Sequence, residues 1–240
     1  MSDKGIYLVT GATGGLGQGV TRRLLATGAR VAALERSGKG LDAMRASLDA
    51  DAAERLECHK IDVTDEEIVA KVFADYSDQK VLGVVHLVGG YAGGTPIDQT
   101  PLSDLQRMIA LNLTSAFLIM RAGARLLTEQ DGSQAMIFVG SVTGRSGGKD
   151  HGPYAATKAA VHSLVRSAAA DLAERGVRVN AVLPTMIATE ANLAMMPDAD
   201  HSMWVTPDAI GATIEYLLSD GAQSVTGACM EIAGKSYQPD

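Results

Sequence analysis

Short apolar segments alternate with helix-like segments along the whole chain. The apolar segments are rich in β-branched residues or continuously apolar, which is typical of strands that are buried on both faces. Seven strands are predicted, at Ile6–Thr10, Arg30–Glu35, Arg55–Ile61, Val81–Val88, Ala135–Gly140, Val177–Leu183 and Ala228–Ala233. Six helices are predicted between them, at Leu16–Thr27, Gly40–Ala50, Asp65–Tyr76, Pro101–Glu129, Tyr154–Arg175 and Pro207–Ser219.

This alternation predicts an α/β fold, with a doubly wound parallel sheet of about seven strands, right-handed crossovers and helices on both faces. In such a sheet, ligands bind in the crevice beyond the carboxyl ends of the strands. The sequence contains no linker, repeat or low-complexity segment. A single domain over residues 1–240 is therefore the expected organisation.

Composition narrows the possible partners. The 240 residues carry a formal net charge of −7, which argues against a general binder of nucleic acid or anionic membranes. We find neither a signal-like N-terminus nor an uninterrupted apolar run of membrane-spanning length. Cys58 and Cys229 lie far apart without metal-type spacing, and free thiols in a reducing compartment are expected. We therefore expect a cytoplasmic protein without a bound metal.

A glycine-rich turn follows the first predicted strand and opens the first predicted helix. Its glycines are Gly11, Gly15 and Gly17. Glycines here let a pyrophosphate approach the backbone, and the N–H groups and dipole of the helix stabilise phosphates. The order of strand, turn and helix favours nucleotide binding. The alternative is a glycine-rich turn without a ligand.

The next two strands end near acidic residues. Glu35 ends the second strand, where a carboxylate can accept hydrogen bonds from the adenosine ribose and repel a 2′-phosphate. Arg36 could receive that phosphate instead, while Gly14 places no basic side chain in the turn. The pattern favours NAD(H), with NADP(H) as the other possibility. Asp62 follows the third strand, where it could meet the adenine amino group or serve as an acid near a helix start.

Tyr154 and Lys158 lie on one face of a predicted helix. A nearby cation is expected to lower the pKa of the phenol, which would make Tyr154 a general acid/base. Ser141 follows a strand and can face the same crevice, where two hydroxyls could polarise one carbonyl oxygen. The alternative for Ser141 is a turn serine. Asn112 interrupts an apolar stretch of helix, which indicates either a side-chain role or a kink capped by its own amide.

Together these residues resemble the short-chain dehydrogenases/reductases over essentially the whole chain. The resemblance rests on Thr10–Gly17, Asp62, Val63, Asn112, Ser141, Tyr154, Lys158, Asn180–Pro184 and Val225–Ala228. It implies a Rossmann-type NAD(P)-dependent oxidoreductase in which Tyr154 exchanges the proton and Ser141 holds the substrate oxygen. It also implies that Lys158 lowers the pKa of Tyr154 and binds the nicotinamide ribose, and that Asn112 helps to seat a water. The cofactor-binding residues that it implies are Gly11, Gly15, Leu16, Gly17, Glu35, Arg36, Asp62, Val63, Gly89, Tyr154, Lys158, Pro184, Ile187 and Thr189.

Two loops depart from the usual family pattern, Leu87–Gly94 and Met196–Trp204. Both look like loops of quinonoid dihydropteridine reductases, so an NADH-dependent pterin reductase is the alternative function. Ser141 and Asn112 favour ordinary carbonyl or alcohol chemistry over that alternative. A non-catalytic dinucleotide sensor is the alternative of another class.

The remaining expectations concern the substrate and the assembly. The Met- and Ala-rich segment 186–205 should cover the pocket of a small apolar or planar substrate. The helices Pro101–Glu129 and Tyr154–Arg175 favour a homodimer or homotetramer, as in many family members, unless one chain's own sheet covers them. His86 and His151 are interpreted as structural, with pocket lining as the alternative for His151.

Overall fold

The described part of the protein, residues 4–130 and 132–236 of a computed structural model, is built on one sheet. Its strands are β1 (Ile6–Thr10), β2 (Arg30–Glu35), β3 (Leu56–Lys60), β4 (Val81–His86), β5 (Gln134–Val139), β6 (Val177–Pro184) and β7 (Cys229–Ile232). They pair in parallel in the order β3-β2-β1-β4-β5-β6-β7. The predicted doubly wound α/β fold is confirmed.

Helices cover both faces of this sheet. They are α1 (Gly17–Ala26), α2 (Leu41–Ala46), α3 (Ala50–Glu54), α4 (Glu66–Ala74), α5 (Leu102–Met108), α6 (Ser115–Leu127), α7 (Thr143–Ser146), α8 (Gly152–Leu172), α9 (Glu190–Met195) and α10 (Pro207–Leu218). One apolar core joins the sheet to α4, α6 and α8, and the other joins it to α1, α2 and α10. Leu8 belongs to the first core and Val9 to the second. Such alternation explains why the strands are continuously apolar.

The prediction of one helix over Gly40–Ala50 is wrong, because the chain forms α2 and α3 there. The Ser47 hydroxyl donates to the carbonyl oxygen of Met44 at the end of α2. The Asp49 carboxylate accepts the N–H of Ala52 at 2.8 Å and begins α3. Serine and aspartate compete in this way with a continuous helix.

The predicted helix Pro101–Glu129 is continuous but irregular. A π-helical segment, Ile109–Thr114, separates α5 from α6. Segments of this kind are frequent at functional sites, and this one contains Asn112. The strand predicted to reach Val88 ends at His86, and the short helices α7 and α9 were not predicted.

The stretch Leu102–Leu127 meets the length and composition criteria for a helix that could cross a membrane. Sequence analysis did not single it out. Half of its most apolar window is buried inside the protein. A buried core helix meets the same criteria, so this is only weak evidence for a membrane span.

The strand order determines where a ligand can bind. Because β1 lies between β2 and β4, the direction of winding reverses beside it. The turn after β1 and the segments after β2 to β6 leave the sheet at its carboxyl edge. The crevice at such a reversal point is the usual ligand site of an open α/β sheet.

Candidate active site

The glycine turn joins β1 to α1 and leaves no room for a Cβ at Gly15 or Gly17. A Cβ at Gly17 would overlap the carbonyl oxygen of Gly11, which itself has a φ of +70°. Leu16 precedes α1 without a side-chain cap, so the positive end of the helix dipole faces the turn. A Cβ at Gly15 would lie 2.8 Å from the Thr189 side chain, so the segment after β6 lies against the turn.

A cavity of about 320 Å³ lies at the carboxyl ends of β2 and β3. Its size lies in the range of small-molecule sites. The structure brings together in its lining five of the residues predicted to bind the cofactor. They are Glu35, Arg36, Asp62, Val63 and Gly89.

Both acids in this cavity are held by hydrogen bonds. Glu35 Oε1 accepts the backbone N–H of Thr13 at 2.6 Å, which fixes the carboxylate beside the glycine turn. Asp62 Oδ1 accepts from the hydroxyl of Thr64 at 2.6 Å and from its N–H at 2.9 Å. These bonds, with a smaller contribution from the charge of Arg36, lower the pKa of Asp62. Asp62 is therefore an ionised acid that organises the turn before α4 while lining the cavity.

Tyr154 lies in the first turn of α8, and its ring packs edge-on against Tyr91 with centroids 5.1 Å apart. Burial raises the pKa of Tyr154, a hydrogen bond with Ser141 lowers it, and Tyr91 raises it further. The prediction that the net effect is a lowered pKa through Lys158 is wrong in this structure. The Lys158 ammonium lies over the ring, 5.9 Å from its centre, and its hydrogen bond goes elsewhere.

Lys158 is buried at the base of the crevice. Its Nζ donates to the carbonyl oxygen of Val139 at 2.8 Å, and burial lowers the pKa of the ammonium to about 8. A Cβ at Gly89 would lie 3.2 Å from this Nζ and 2.9 Å from Oδ1 of Asn112. Gly89 therefore leaves the space in which the lysine and the asparagine meet.

Asn112 bonds to the loop after β4. Its Oδ1 accepts the N–H of Gly90 at 2.8 Å, and its Nδ2 donates to the carbonyl oxygen of Gly90 at 3.1 Å. Nδ2 also approaches Oγ1 of Thr157 at 3.1 Å. The helix is π-helical at Asn112, but this amide fixes another loop and does not cap its own helix. The structure thus places Asn112 next to Lys158 as an anchor of the crevice wall.

Ser141 lies two residues after the end of β5 and is buried. Its Oγ accepts the N–H of Thr143 at 3.2 Å and interacts with Tyr154. The structure therefore brings together the two hydroxyls that the sequence assigned to one crevice.

Predicted cofactor residues also lie after β6, whose last residue is Pro184. The Ile187 carbonyl oxygen accepts from Nδ2 of Asn192 at 2.9 Å. The Thr189 hydroxyl accepts the N–H of Asn192 at 3.3 Å and begins α9. Asn192 thus bonds to both Ile187 and Thr189, and Thr189 lies against the glycine turn.

A hydrogen-bonded pair beside Tyr154 did not stand out as a pair in the sequence. The Tyr91 hydroxyl lies 3.0 Å from Nδ1 of His151, and the Gly94 N–H donates to the carbonyl oxygen of Asp150 at 2.9 Å. These bonds join the loops after β4 and before α8. Asp150 has a φ of +64°, a strained conformation for a non-glycine residue. The sequence signal was limited to His151 as a possible lining residue.

His86 lies buried behind the site. Its Nδ1 is 2.7 Å from the Thr10 hydroxyl and its Nε2 is 3.2 Å from the Ser115 hydroxyl. Because Ser115 donates its own proton to the carbonyl oxygen of Leu111, it accepts from Nε2–H of His86. The ring thereby joins β1 and β4 to the first residue of α6.

Within residues 4–130 and 132–236, no group of three or more His, Cys, Asp or Glu side chains is arranged to hold a metal ion. Cys58 and Cys229 are free thiols.

Comparisons with known proteins agree with this geometry. A family model described as short chain dehydrogenase matches residues 5–199. Galactitol 2-dehydrogenase (L-tagatose-forming) from Cereibacter sphaeroides is 31% identical over 94% of this chain and 92% of its own. A 3-oxoacyl-(acyl-carrier-protein) reductase from Synechocystis sp. is 30% identical over 95% of each chain. The structure of a short-chain type dehydrogenase/reductase from Mycobacterium ulcerans superposes with a TM-score of 0.90 at 27% identity, covering 98% of this chain and 90% of its own.

Proposed function

The chain belongs to the short-chain dehydrogenase family and is an oxidoreductase, and we propose that it interconverts a small carbonyl compound and the corresponding alcohol with a nicotinamide cofactor. The observation that carries this proposal is the convergence of Ser141, Tyr154 and Lys158 at the crevice that the glycine turn opens. The Ser141 and Tyr154 hydroxyls interact, so both can meet one substrate oxygen.

A nicotinamide dinucleotide fits the residues of this crevice. Gly11, Gly15 and Gly17 keep three positions of the turn free of side chains, and α1 would offer its N-terminus to the pyrophosphate. Glu35 and Asp62 line the cavity in which the adenosine would lie. When bound, the nicotinamide supplies or accepts the hydride.

We propose that NAD(H) is preferred over NADP(H). The Thr13 N–H holds the Glu35 carboxylate beside the turn, where it can accept from ribose hydroxyls and repel a 2′-phosphate. Arg36 is exposed at the same cavity and is the group that would favour the phosphate. The fixed position of Glu35 supports repulsion of the 2′-phosphate, and therefore a preference for NAD(H).

We assign to Tyr154 the proton that the substrate oxygen gains during reduction. Because the pKa of Tyr154 is raised, its phenol keeps the proton at neutral pH and can donate it to a substrate oxygen as that oxygen gains negative charge. Ser141 donates a hydrogen bond to the same oxygen. The positive charge of Lys158 stabilises the resulting phenolate, which regains a proton from solvent. In the oxidative direction the same groups act in reverse.

The substrate is proposed to be a secondary alcohol or its ketone. The names of the two relatives describe such pairs, galactitol with L-tagatose and a 3-oxoacyl group with its reduced form. Met186, Met195 and Met203 are exposed in the segment over the site and would provide an adaptable apolar cover. The Tyr91–His151 pair adds polar groups beside Tyr154. We therefore propose a small, largely apolar or planar substrate with its reacting oxygen at Ser141.

A homodimer or homotetramer is proposed as the assembly. Ile109 and Phe117 are large apolar side chains that remain exposed on the helix from α5 to α6. Pairing of these helices between copies would cover them. Light scattering tests this directly, because a mass equal to one chain would contradict a stable oligomer.

A substrate screen tests the proposed function. Purified protein is incubated with NADH or NADPH and a panel of ketones and quinonoid pterins, and with NAD⁺ or NADP⁺ and a panel of secondary alcohols and polyols, while nicotinamide absorbance is followed. Turnover of a ketone–alcohol pair is expected, faster with the NAD form. Turnover of quinonoid pterins alone would establish the pterin reductase instead. NADH binding without turnover of any compound would favour a dinucleotide sensor.

A further inference from the structure

His162 lies one turn after Lys158 on α8 and is only 3% exposed. Its ring fills a space left by two glycines in the segment that carries Ser141. A Cβ at Gly140 would overlap Nε2 of the ring, and a Cβ at Gly144 would lie 2.7 Å from its Cε1. The segment 140–144 is therefore shaped around this imidazole.

The five backbone N–H groups of segment 140–144 are all hydrogen-bonded. Four of them donate to β6 or to oxygen atoms of Ser141. The fifth, the N–H of Ser141, donates to Nε2 of His162 at 3.3 Å. Buried N–H groups require an acceptor. His162 is thus the one side chain outside the segment on which these five bonds depend.

The ring is in the right protonation state for this bond. Burial, followed by the positive charges of Arg166, Lys158 and Arg145, lowers the pKa of His162 to about 4. A neutral imidazole has one nitrogen that accepts and one that donates. Because Nε2 accepts from Ser141, the proton belongs on Nδ1.

We propose that His162 is a positioning residue, which sets the Ser141 hydroxyl against Tyr154 by accepting the Ser141 N–H. The inference rests on the proposed function, in which Ser141 holds the substrate oxygen. His162 does not contact the reacting atoms, so its whole effect passes through the backbone of Ser141. Loss of the acceptor forces that N–H to find another partner and displaces the hydroxyl.

Two substitutions separate this role from simple packing. His162→Leu removes the acceptor, whereas His162→Gln retains an oxygen that can replace Nε2. His162→Leu should lower kcat roughly ten- to a hundredfold, the scale of a misplaced catalytic group, with an NADH dissociation constant close to wild type. His162→Gln should restore most of that loss. Unchanged kcat in His162→Leu would overturn the proposal.

A double-mutant cycle shows whether the effect passes through Ser141. In a Ser141→Ala background, His162→Leu should cause little further loss, because no hydroxyl remains to be positioned. The same fold loss in both backgrounds would mean that His162 acts independently of Ser141, and would contradict the proposal. Melting temperatures of all variants report whether each one folds.

Nitrogen NMR of the wild-type protein tests the hydrogen bond without any variant. With ¹⁵N-labelled histidine, His162 is assigned by the signal that disappears in His162→Gln, or by through-bond connection if that variant does not fold. At neutral pH we expect a protonated Nδ1 and an unprotonated Nε2. A proton on Nε2, or a charged ring, would overturn the proposal. This result does not depend on finding a substrate, so a failure of the proposed function remains distinguishable.

Discussion

The Lys158 ammonium donates to the carbonyl oxygen of Val139 at 2.8 Å and lies 5.9 Å from the centre of the Tyr154 ring. The cation is thus anchored to the end of β5 and stands over the phenol ring, away from a direct bond to its hydroxyl. Burial dominates the pKa of both groups, raising that of Tyr154 and lowering that of Lys158 to about 8. At neutral pH the site accordingly holds a protonated phenol and a charged lysine, as the proposed proton donation requires.

The pH dependence of carbonyl reduction should follow Lys158. Its ammonium is charged below a pKa of about 8 and loses that charge as the pH rises through it, while Tyr154 stays protonated. The kcat/KM for reduction should therefore be flat near neutral pH and fall above about pH 8. A pH series with a ketone substrate measures it. The arginine of Lys158→Arg stays charged over this pH range. Whatever activity this variant retains, its kcat/KM should not fall above about pH 8. If kcat/KM falls as in the wild type, another group causes the decrease.

Gly89→Ala should disturb the lysine and the asparagine together. The added Cβ would lie 2.9 Å from Asn112 Oδ1 and 3.2 Å from Lys158 Nζ, so one of them must move. We expect kcat/KM to fall by roughly tenfold or more. Gly38→Ala is the matched control, because its Cβ would have no neighbour within 4 Å. Steady-state kinetics that give equal values for the two variants would mean that Gly89 is not under this constraint.

Glu35 should determine the choice of cofactor. Wild-type protein is expected to bind NADH more tightly than NADPH in calorimetry, because the carboxylate held by Thr13 repels a 2′-phosphate. Glu35→Ser removes this charge and leaves Arg36 to receive the phosphate. The ratio of the two affinities should then move toward NADPH by about tenfold or more. Tighter NADPH binding by the wild type would indicate that Arg36 dominates.

The buried ring of His86 should make the protein sensitive to acid. Burial, and to a lesser extent the charge of Lys158, lowers the pKa of His86 from 6.5 to about 3. The unfolded chain takes up a proton below about pH 6.5, but the folded chain does not. The stability is therefore fully present above that pH and declines as the pH falls toward about 3, by about 1.4 kcal/mol per pH unit.

Urea unfolding at pH 7 and pH 5 measures this effect. His86→Gln carries no titrating ring, so the difference in unfolding free energy between the two pH values should shrink by about 2 kcal/mol. Burial also lowers the pKa of His162, but this residue is present in both proteins, so its contribution to the pH dependence cancels in the comparison. An equal pH difference in wild type and variant would show that His86 is not the source.

Local patterns were sufficient for the sheet, the glycine turn and the family. The strand Ile6–Thr10 and the glycines after it are adjacent in sequence. They can therefore be recognised as a strand and a turn without knowledge of the rest of the chain. The break at Ser47 and Asp49 was missed because the sequence does not reveal whether a serine or an aspartate caps a helix end or lies within a helix. That depends on the hydrogen bonds that its side chain makes. The π-helical segment around Asn112 likewise leaves no repeating pattern.

Relationships between distant segments could not be read from the sequence. The direction of the Tyr154 pKa depends on burial by the whole fold, which outweighed the spacing to Lys158. The contact of Gly140 and Ser141 with His162 is made between the end of β5 and helix α8, which are distant in sequence. The Tyr91–His151 bond likewise requires two loops that meet only in three dimensions.

The most direct test of the central claim is the kcat of Tyr154→Phe, measured beside its affinity for NADH. The substitution removes the proton and keeps the ring that packs against Tyr91. We expect kcat for carbonyl reduction to fall by about a hundredfold or more, while the NADH dissociation constant from fluorescence titration stays within about threefold of wild type. A variant that binds NADH and retains the wild-type kcat would contradict the assignment of Tyr154 as the proton donor.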